Sequence, residues 1–427
     1  MAKSAATPVQ MLRFQAASLL VYQNVLADEV GAAFLDLLDT VDLRGKEDKI
    51  ACLQAYGRLF HALAKVGRSW QSHLIHRILE AENPFTLQAQ SPMALPEGLA
   101  AAARHDLECL QHLYQCSAVQ IASLLKAIVA KFSLPLLPEG LARPPYSCLE
   151  TANHWPECLS DLVTYYQKNG VGLFARFRAL RWQAGQIVGI ASPDSIDLDY
   201  LVGYETQKQL LLKNTEFLLA GYSALHVLLY GSRGSGKSSL VKALMSRYGD
   251  QGLRLIEVTK ADLEHLPTIV ETLRSLPQKF ILFVDDLSFE EDENSYKALK
   301  VVLEGNLTGR PQNVVIYATS NRKHLIREFF GDRPDPSNLD EVHAWDTVQE
   351  KLSLSDRFGL TLTFIPADQK TYLRIVHHLA QQSGICIAPE DLERRALQWV
   401  AHHNGRSGRT ARQFIDFLQA EIALPKQ

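Results

Sequence analysis

Gly231, Gly236, Lys237 and Ser238 stand at the spacing G-x-x-x-x-G-K-[ST], within the stretch HVLLYGSRGSGKSSLVKAL at residues 226–244. Residues of these types in this order make a phosphate-binding loop. Glycines let successive backbone N–H groups turn inward around an anion with no Cβ in the way. A helix opening near Lys237 adds the positive end of its dipole. The candidate phosphate contacts are Gly231, Ser232, Arg233, Gly234, Ser235, Gly236, Lys237, Ser238 and Ser239. Lys237 would reach the β- and γ-phosphates, and the Ser238 hydroxyl would ligate Mg2+. The ligands this pattern implies are ATP and Mg2+.

Four further stretches could complete that chemistry. KFILFVDDLSFE is an apolar strand ending in two carboxylates. It would deliver Asp285 beside the phosphate loop to hold Mg2+, and Asp286 where an attacking water needs orienting, with Glu290 as a possible substitute. VVIYATSNR is a second apolar strand, ending at Asn321, which could hold that water or touch the γ-phosphate. In LSLSDRFGL, Arg357 falls on a short exposed turn, where it has little structural reason to be unless it pairs with Asp356. NGRSGRTARQFIDFL brings Arg406, Arg409 and Arg412 to the start of an amphipathic helix. Positive charge there opposes the helix dipole, so an anion is expected to offset it.

Elements that position these residues are legible in the hydropathy. Residues 1 to about 132 carry apolar side chains at three- and four-residue intervals, helix after helix. The proline-rich segment 133–147 interrupts them, and one shorter helical piece follows. From about residue 196, strands are expected at 226–230, 253–258, 279–286, 313–320 and 360–364, separated mostly by helical segments. Several are apolar throughout, the mark of a parallel sheet buried on both faces. After Pro366 only helical pattern remains. The expected division is therefore a helical N-terminal domain (1–195), an α/β nucleotide-binding domain (196–365) and a helical lid (366–427).

Composition is that of an ordinary soluble globular chain, 47% hydrophobic and 21% charged over 427 residues. A net charge of −3 offers no global attraction to nucleic acid. No run is long and apolar enough to span a membrane, the N-terminus does not read as a secretory signal, and six scattered cysteines form no disulfide framework. A reduced, cytoplasmic protein is expected.

Phosphate loop, Asp-Asp strand, polar strand end, SDRFG and terminal helices together resemble the AAA+ ATPases. More narrowly, VGYETQKQLLLKNTEFLLAG, KFILFVDDLSFEE, YATSNRKHLI, EKLSLSDRFGLTLTF and GRSGRTARQFIDF are similar to a bacterial family of predicted AAA+ ATPases known only as a domain of unknown function. The resemblance covers residues 195–427 and implies an AAA+ P-loop core with a C-terminal lid. It makes Asn321 a first sensor and Arg357 an arginine finger reaching into a neighbouring subunit. Arg409 becomes the second sensor, with Arg412 as runner-up, because RSGRTARQFI has the cadence of the lid motif in branch-migration motors. Val202 and Gly203 would border the adenine. The usual Asp-Glu pair is Asp-Asp here, as in replication-initiator ATPases that work as slow switches.

Other signals weigh less. His105, Cys109, His112 and Cys116 share one helical face, but a single helix rarely wraps a tetrahedral ion. FARFRALRW interleaves Arg176, Arg178 and Arg181 with aromatic residues, which suits nucleic acid but at helical spacing reads as a solvated basic face. The stretch TKADLEHLPTIVETL lacks the aromatic-glycine pore loop of protein-threading rings. The resulting expectation is an ATPase that hydrolyses ATP in a homo-oligomer, a ring or even a hexamer, to remodel a macromolecular partner. That partner would be a protein held by the N-terminal domain. The alternative is a slow ATP-dependent switch or loader acting on DNA, which is possible but not favoured.

Overall fold

The computed structural model describes residues 7–44, 48–91, 93–129, 134–139, 148–194, 196–289, 294–304, 309–321, 354–403 and 405–424. The chain divides into two compact units, Met1–Arg176 and Phe177–Gln427.

The first unit is helical. It contains α1 (Pro8–Ala17), α2 (Glu29–Arg44), α3 (Lys49–Val66), α4 (Trp70–Leu79) and α5 (Pro84–Ala89). It continues through α6 (Glu97–Gln115), α7 (Ala118–Ile128), α8 (Leu159–Asn169) and α9 (Gly172–Arg176). Local chemistry sets the boundaries. Thr7, Asn83 and Ser117 form capping boxes, and Asp48 and Ser69 accept the first free N–H groups of α3 and α4. The core gathers side chains from α1 to α8, with Phe34 stacked on Trp70 at 3.9 Å. Asp106 is fully buried, and its carboxylate accepts the N–H groups of Leu20, Val21 and Tyr22, which hold the chain between α1 and α2. His105 and His112, from the suspected metal face, bond instead to Ser18 O and Gln15 Oε1. Among the described residues no group of three or more His, Cys, Asp or Glu side chains is placed to hold a metal ion.

In the second unit a seven-stranded sheet runs in the order β2-β1-β4-β5-β6-β3-β7. The strands are β1 (Ala179–Gln183), β2 (Gln186–Gly189), β3 (Val227–Gly231), β4 (Leu253–Glu257), β5 (Lys279–Val284), β6 (Val314–Ser320) and β7 (Leu360–Phe364). All five strands expected from the sequence are present and pair in parallel. Leu228, for example, stands opposite Ala318 on β6 and Thr361 on β7. Helices α10 (Glu205–Leu219), α11 (Lys237–Tyr248), α12 (Leu266–Arg274) and α13 (Asn294–Glu304) flank the sheet.

One expectation is corrected. FARFRALRW is not a single helix: α9 ends at Arg176, and β1 starts at Ala179 as part of an antiparallel hairpin with β2. Burial along ALRWQ has period two, with Leu180 and Trp182 inward and Arg181 and Gln183 outward. The two-residue turn is Ala184-Gly185, both at positive φ, which matches the twist of the strands it joins. Because β1 pairs with β4, sheet residues begin within the 1–195 span that the sequence pattern assigned to the helical part. The arginines of this stretch are all paired, Arg176 with Glu80, Arg178 with Asp250 and Arg181 with Glu257.

Three helices close the chain, Gln369–Gln382, Pro389–Ala401 and Gly408–Ala423. They pack around Tyr372, Val376, Leu392, Phe414, Ile415 and Leu418. Asp368 caps the first and Ser407 the third.

Candidate nucleotide-binding site

The sheet order decides which strand ends meet. β5, β6 and β3 are neighbours, so the loops leaving their carboxyl ends converge, and these are the loops that carry Asp285, Asn321 and the glycine-rich turn. Gly231 ends β3 at φ 138°, and a Cβ there would lie 2.0 Å from Phe364 O on the neighbouring strand. Only glycine fits. Gly234 and Gly236 follow at φ 72° and 89°, and α11 opens at Lys237.

Lys237 is buried and folded back onto its own loop. Its Nζ donates to Gly231 O (3.0 Å), Ser232 O (2.8 Å) and Asn321 Oδ1 (3.3 Å). Burial pulls its pKa below the usual lysine value against the pull of Asp285 and Asp286, and the charge of Arg409 adds to the lowering. Ser238 Oγ donates to Asp285 Oδ1 at 2.6 Å. Asp286 sits in the left-handed region at φ 51°, a conformation costing a non-glycine residue on the order of 1 kcal/mol. Its carboxylate accepts a bond of 2.6 Å from Asn321 Nδ2.

The third lid helix docks on the loop, with the Arg409 N–H bonded to Gly234 O at 3.2 Å. Arg409 and Arg412 both line the cavity; Arg412 also pairs with Asp416 one turn on. Tyr200, Leu201 and Val202, with Ile375 and Leu379 of the lid, add apolar surface to the cavity wall, and Val202 packs on the core that holds Ile375 and Leu379. Gly203 stands at φ 91°, and a Cβ on it would touch Thr371 Cγ2 at 3.4 Å. The cavity, about 1090 Å3, thus combines apolar side chains with the glycine-rich loop, surfaces that suit the two parts of a nucleotide.

Of the residues singled out from the sequence, Arg233, Gly234, Ser235, Gly236, Lys237, Ser238, Ser239, Val202, Gly203, Asp285, Asp286, Asn321, Arg409 and Arg412 line one cavity. Gly231 and Ser232 form the root of the loop, where their carbonyls receive Lys237. Arg357 is not in the lining. It pairs through Nε with Glu304 at the end of α13 (2.6 Å), not with Asp356. Glu290 lies outside the described residues. Sequence reasoning missed Thr319, whose hydroxyl bonds both to Asp285 Oδ1 and to the Asp286 N–H. Its signal was its place at the polar carboxyl end of β6, two residues before Asn321. It also missed Tyr204, which sits at φ 56° and ties the segment before α10 to Ile365 O.

Ser238 and Asp285, which touch beside the loop, offer oxygen donors, the type Mg2+ prefers when most other ligands are water and phosphate. Phosphate loop, acidic strand end, polar strand end and docked C-terminal helices stand together on a mainly parallel sheet, an α/β fold with a P-loop. No helix among the described residues is long and apolar enough to cross a membrane.

Solved structures show a limited similarity to this chain. A single-residue variant of RuvB from Thermotoga maritima is 18% identical, with a TM-score of 0.35, over 53% of this chain and 66% of that one, just under two thirds of its length. The Thermotoga maritima RuvB Holliday junction branch migration motor is 16% identical (TM-score 0.32; 52% of this chain, 72% of that one). The FIGL-1 AAA domain in complex with ADP is 18% identical (TM-score 0.36; 54% and 74%). No curated protein matches the sequence. The family model described as "Protein of unknown function (DUF815)" matches residues 175–422, more than half of the chain. The chain belongs to the DUF815 family.

Proposed function

We propose that the protein binds ATP with Mg2+ and hydrolyses it, as a subunit of a homo-oligomer that remodels a macromolecular partner in the cytoplasm. One observation carries the reading: Lys237 lies at the base of a glycine loop while Ser238 and Asp285 touch beside it, under a lid that bonds to the same loop. When bound, Mg2+ would be held by Ser238 and Asp285 and would neutralise charge on the β- and γ-phosphate oxygens. Lys237 exchanges two loop carbonyls for phosphate oxygens, and the loop N–H groups cradle them. Asp286 takes the proton of the attacking water, and Asn321, already bonded to both Lys237 and Asp286, orients that water. Val202 and Gly203 border the base. We assign partner binding to the helical N-terminal unit.

A second reading, a slow switch with DNA as its target, gains from one observation. The Asp286 carboxylate is shorter than a glutamate and already engaged by Asn321, which favours slow turnover.

Lys237→Ala tests the first reading. It is expected to weaken ATP binding at least tenfold, since a charge-assisted contact to phosphate is worth about 1.5–3 kcal/mol. Calorimetric affinity equal to wild type in this variant would end the nucleotide assignment. Between the lid arginines, Arg409→Ala is expected to reduce ATP affinity about tenfold. Arg412, drawn off by Asp416, should matter less. The reverse order would move the sensor role to Arg412.

A further inference from the structure

One buried hydroxyl touches both carboxylate residues of the site. Thr319, the penultimate residue of β6, is 2% exposed. Its Oγ1 donates to Asp285 Oδ1 at 2.5 Å and accepts the Asp286 N–H at 3.0 Å. A hydroxyl has a single proton and two lone pairs, so both directions are settled: the proton goes to the carboxylate, and the amide donates back.

The effect on Asp285 is to fix one rotamer. Oδ1 receives Thr319 Oγ1, Ser238 Oγ at 2.6 Å and the Asp286 N–H at 3.2 Å. Among the described residues no bond is formed to Oδ2, so that oxygen stays open for a cation or its water. Asp286 is pinned in turn. Its left-handed backbone is held by its own N–H on Thr319 Oγ1 and by the next one, Leu287 N–H, on Thr319 O at 2.7 Å. That backbone directs the Asp286 side chain to Asn321.

We propose that Thr319 is a positioning residue, which sets the Asp285 carboxylate for the metal ion and holds Asp286 in the conformation that meets Asn321. The inference rests on the nucleotide reading given above. Thr319 stands in the wall of the same cavity and acts through the two aspartates it bonds. Partners of this kind typically change metal affinity or activity by about 10- to 100-fold when removed.

Thr319→Val keeps the shape and removes the hydroxyl. Affinity for Mn2+, measured by electron paramagnetic resonance in the presence of ADP, is expected to fall about tenfold, and kcat by about 10- to 100-fold. ADP affinity without metal should stay at the wild-type value. Thr319→Ser, which restores the hydroxyl, should recover both quantities. A Thr319→Val protein indistinguishable from wild type in Mn2+ affinity and kcat overturns the inference, as does Thr319→Ser as impaired as Thr319→Val. If Thr319→Val does not fold, Thr319→Ala takes its place in the same comparison with Thr319→Ser. Wild-type protein that binds neither ADP nor Mn2+ overturns the nucleotide reading itself, and this inference with it. Wild-type binding with an unaltered valine variant overturns this inference alone.

Discussion

Mixing an Arg357→Ala variant with an Asp286→Asn variant is expected to restore ATP hydrolysis that neither shows alone. Loss of an arginine finger costs roughly 10^3- to 10^5-fold in rate, because its charge acts where negative charge develops on the transferring phosphoryl group. Arg357 lies on the short turn Ser355–Arg357 and does not line its own chain's cavity. Within the chain its Nε is held by Glu304, while its Nη1 is buried with no hydrogen-bond partner among the described residues. A guanidinium left half-satisfied can gain from leaving that pair for a neighbour's phosphates. Mixed assemblies contain interfaces with an intact Asp286 on one side and an intact Arg357 on the other, so phosphate release should recover in them. Glu304→Gln separates the finger from a purely structural arginine. If Arg357 only anchors α13, both Glu304→Gln and Arg357→Ala lower the melting temperature and leave hydrolysis per folded molecule unchanged. If Arg357 is the finger, Glu304→Gln keeps or raises the rate. No recovery on mixing, together with a monomer by light scattering at every ATP concentration, would defeat the oligomer reading.

Asp286→Asn alone is expected to bind ATP as wild type does and to hydrolyse it about 10^2- to 10^4-fold more slowly, the range for removing a general base. The substitution is structurally mild. Asparagine tolerates the left-handed backbone that residue 286 adopts at φ 51°, and its amide oxygen can still accept from Asn321 Nδ2. Single-turnover phosphate release and nucleotide affinity, measured together, separate binding from chemistry. A rate within threefold of wild type would remove Asp286 from the catalytic role. Slow wild-type turnover, with a correspondingly small drop in the variant, would favour the switch reading.

The phosphate loop was legible because its chemistry is local. Gly231, Gly234 and Gly236 are required by backbone turns and by one close approach to Phe364, and glycine leaves a mark that spacing alone reveals. The five parallel strands were legible for a related reason. Burial on both faces demands near-continuous apolar runs, and β3, β5 and β6 each end where the polar residues of the site begin. The hairpin β1–β2 was not, because FARFRALRW has arginines that fit a helical face as well as a strand edge. Pairing with β4 at Leu255 and Ile256 decides between them, and that partner lies 76 residues away.

The residue types, their spacing and the run of strands therefore determined by themselves that a phosphate loop, an acidic pair and a polar strand end exist in this chain. Their convergence was decided only by the order in which β5, β6 and β3 stand side by side. Thr319 shows the limit most clearly. Its two bonds to the aspartates depend on the register of β5 against β6, where Val284 stands opposite Ala318. Arg357 shows it too. Its ion partner is Glu304, more than fifty residues earlier, and not the adjacent Asp356. Hydrogen bonds and ion pairs form across space at about 3 Å, so side chains brought together by the sheet carry no mark of it in their spacing along the chain.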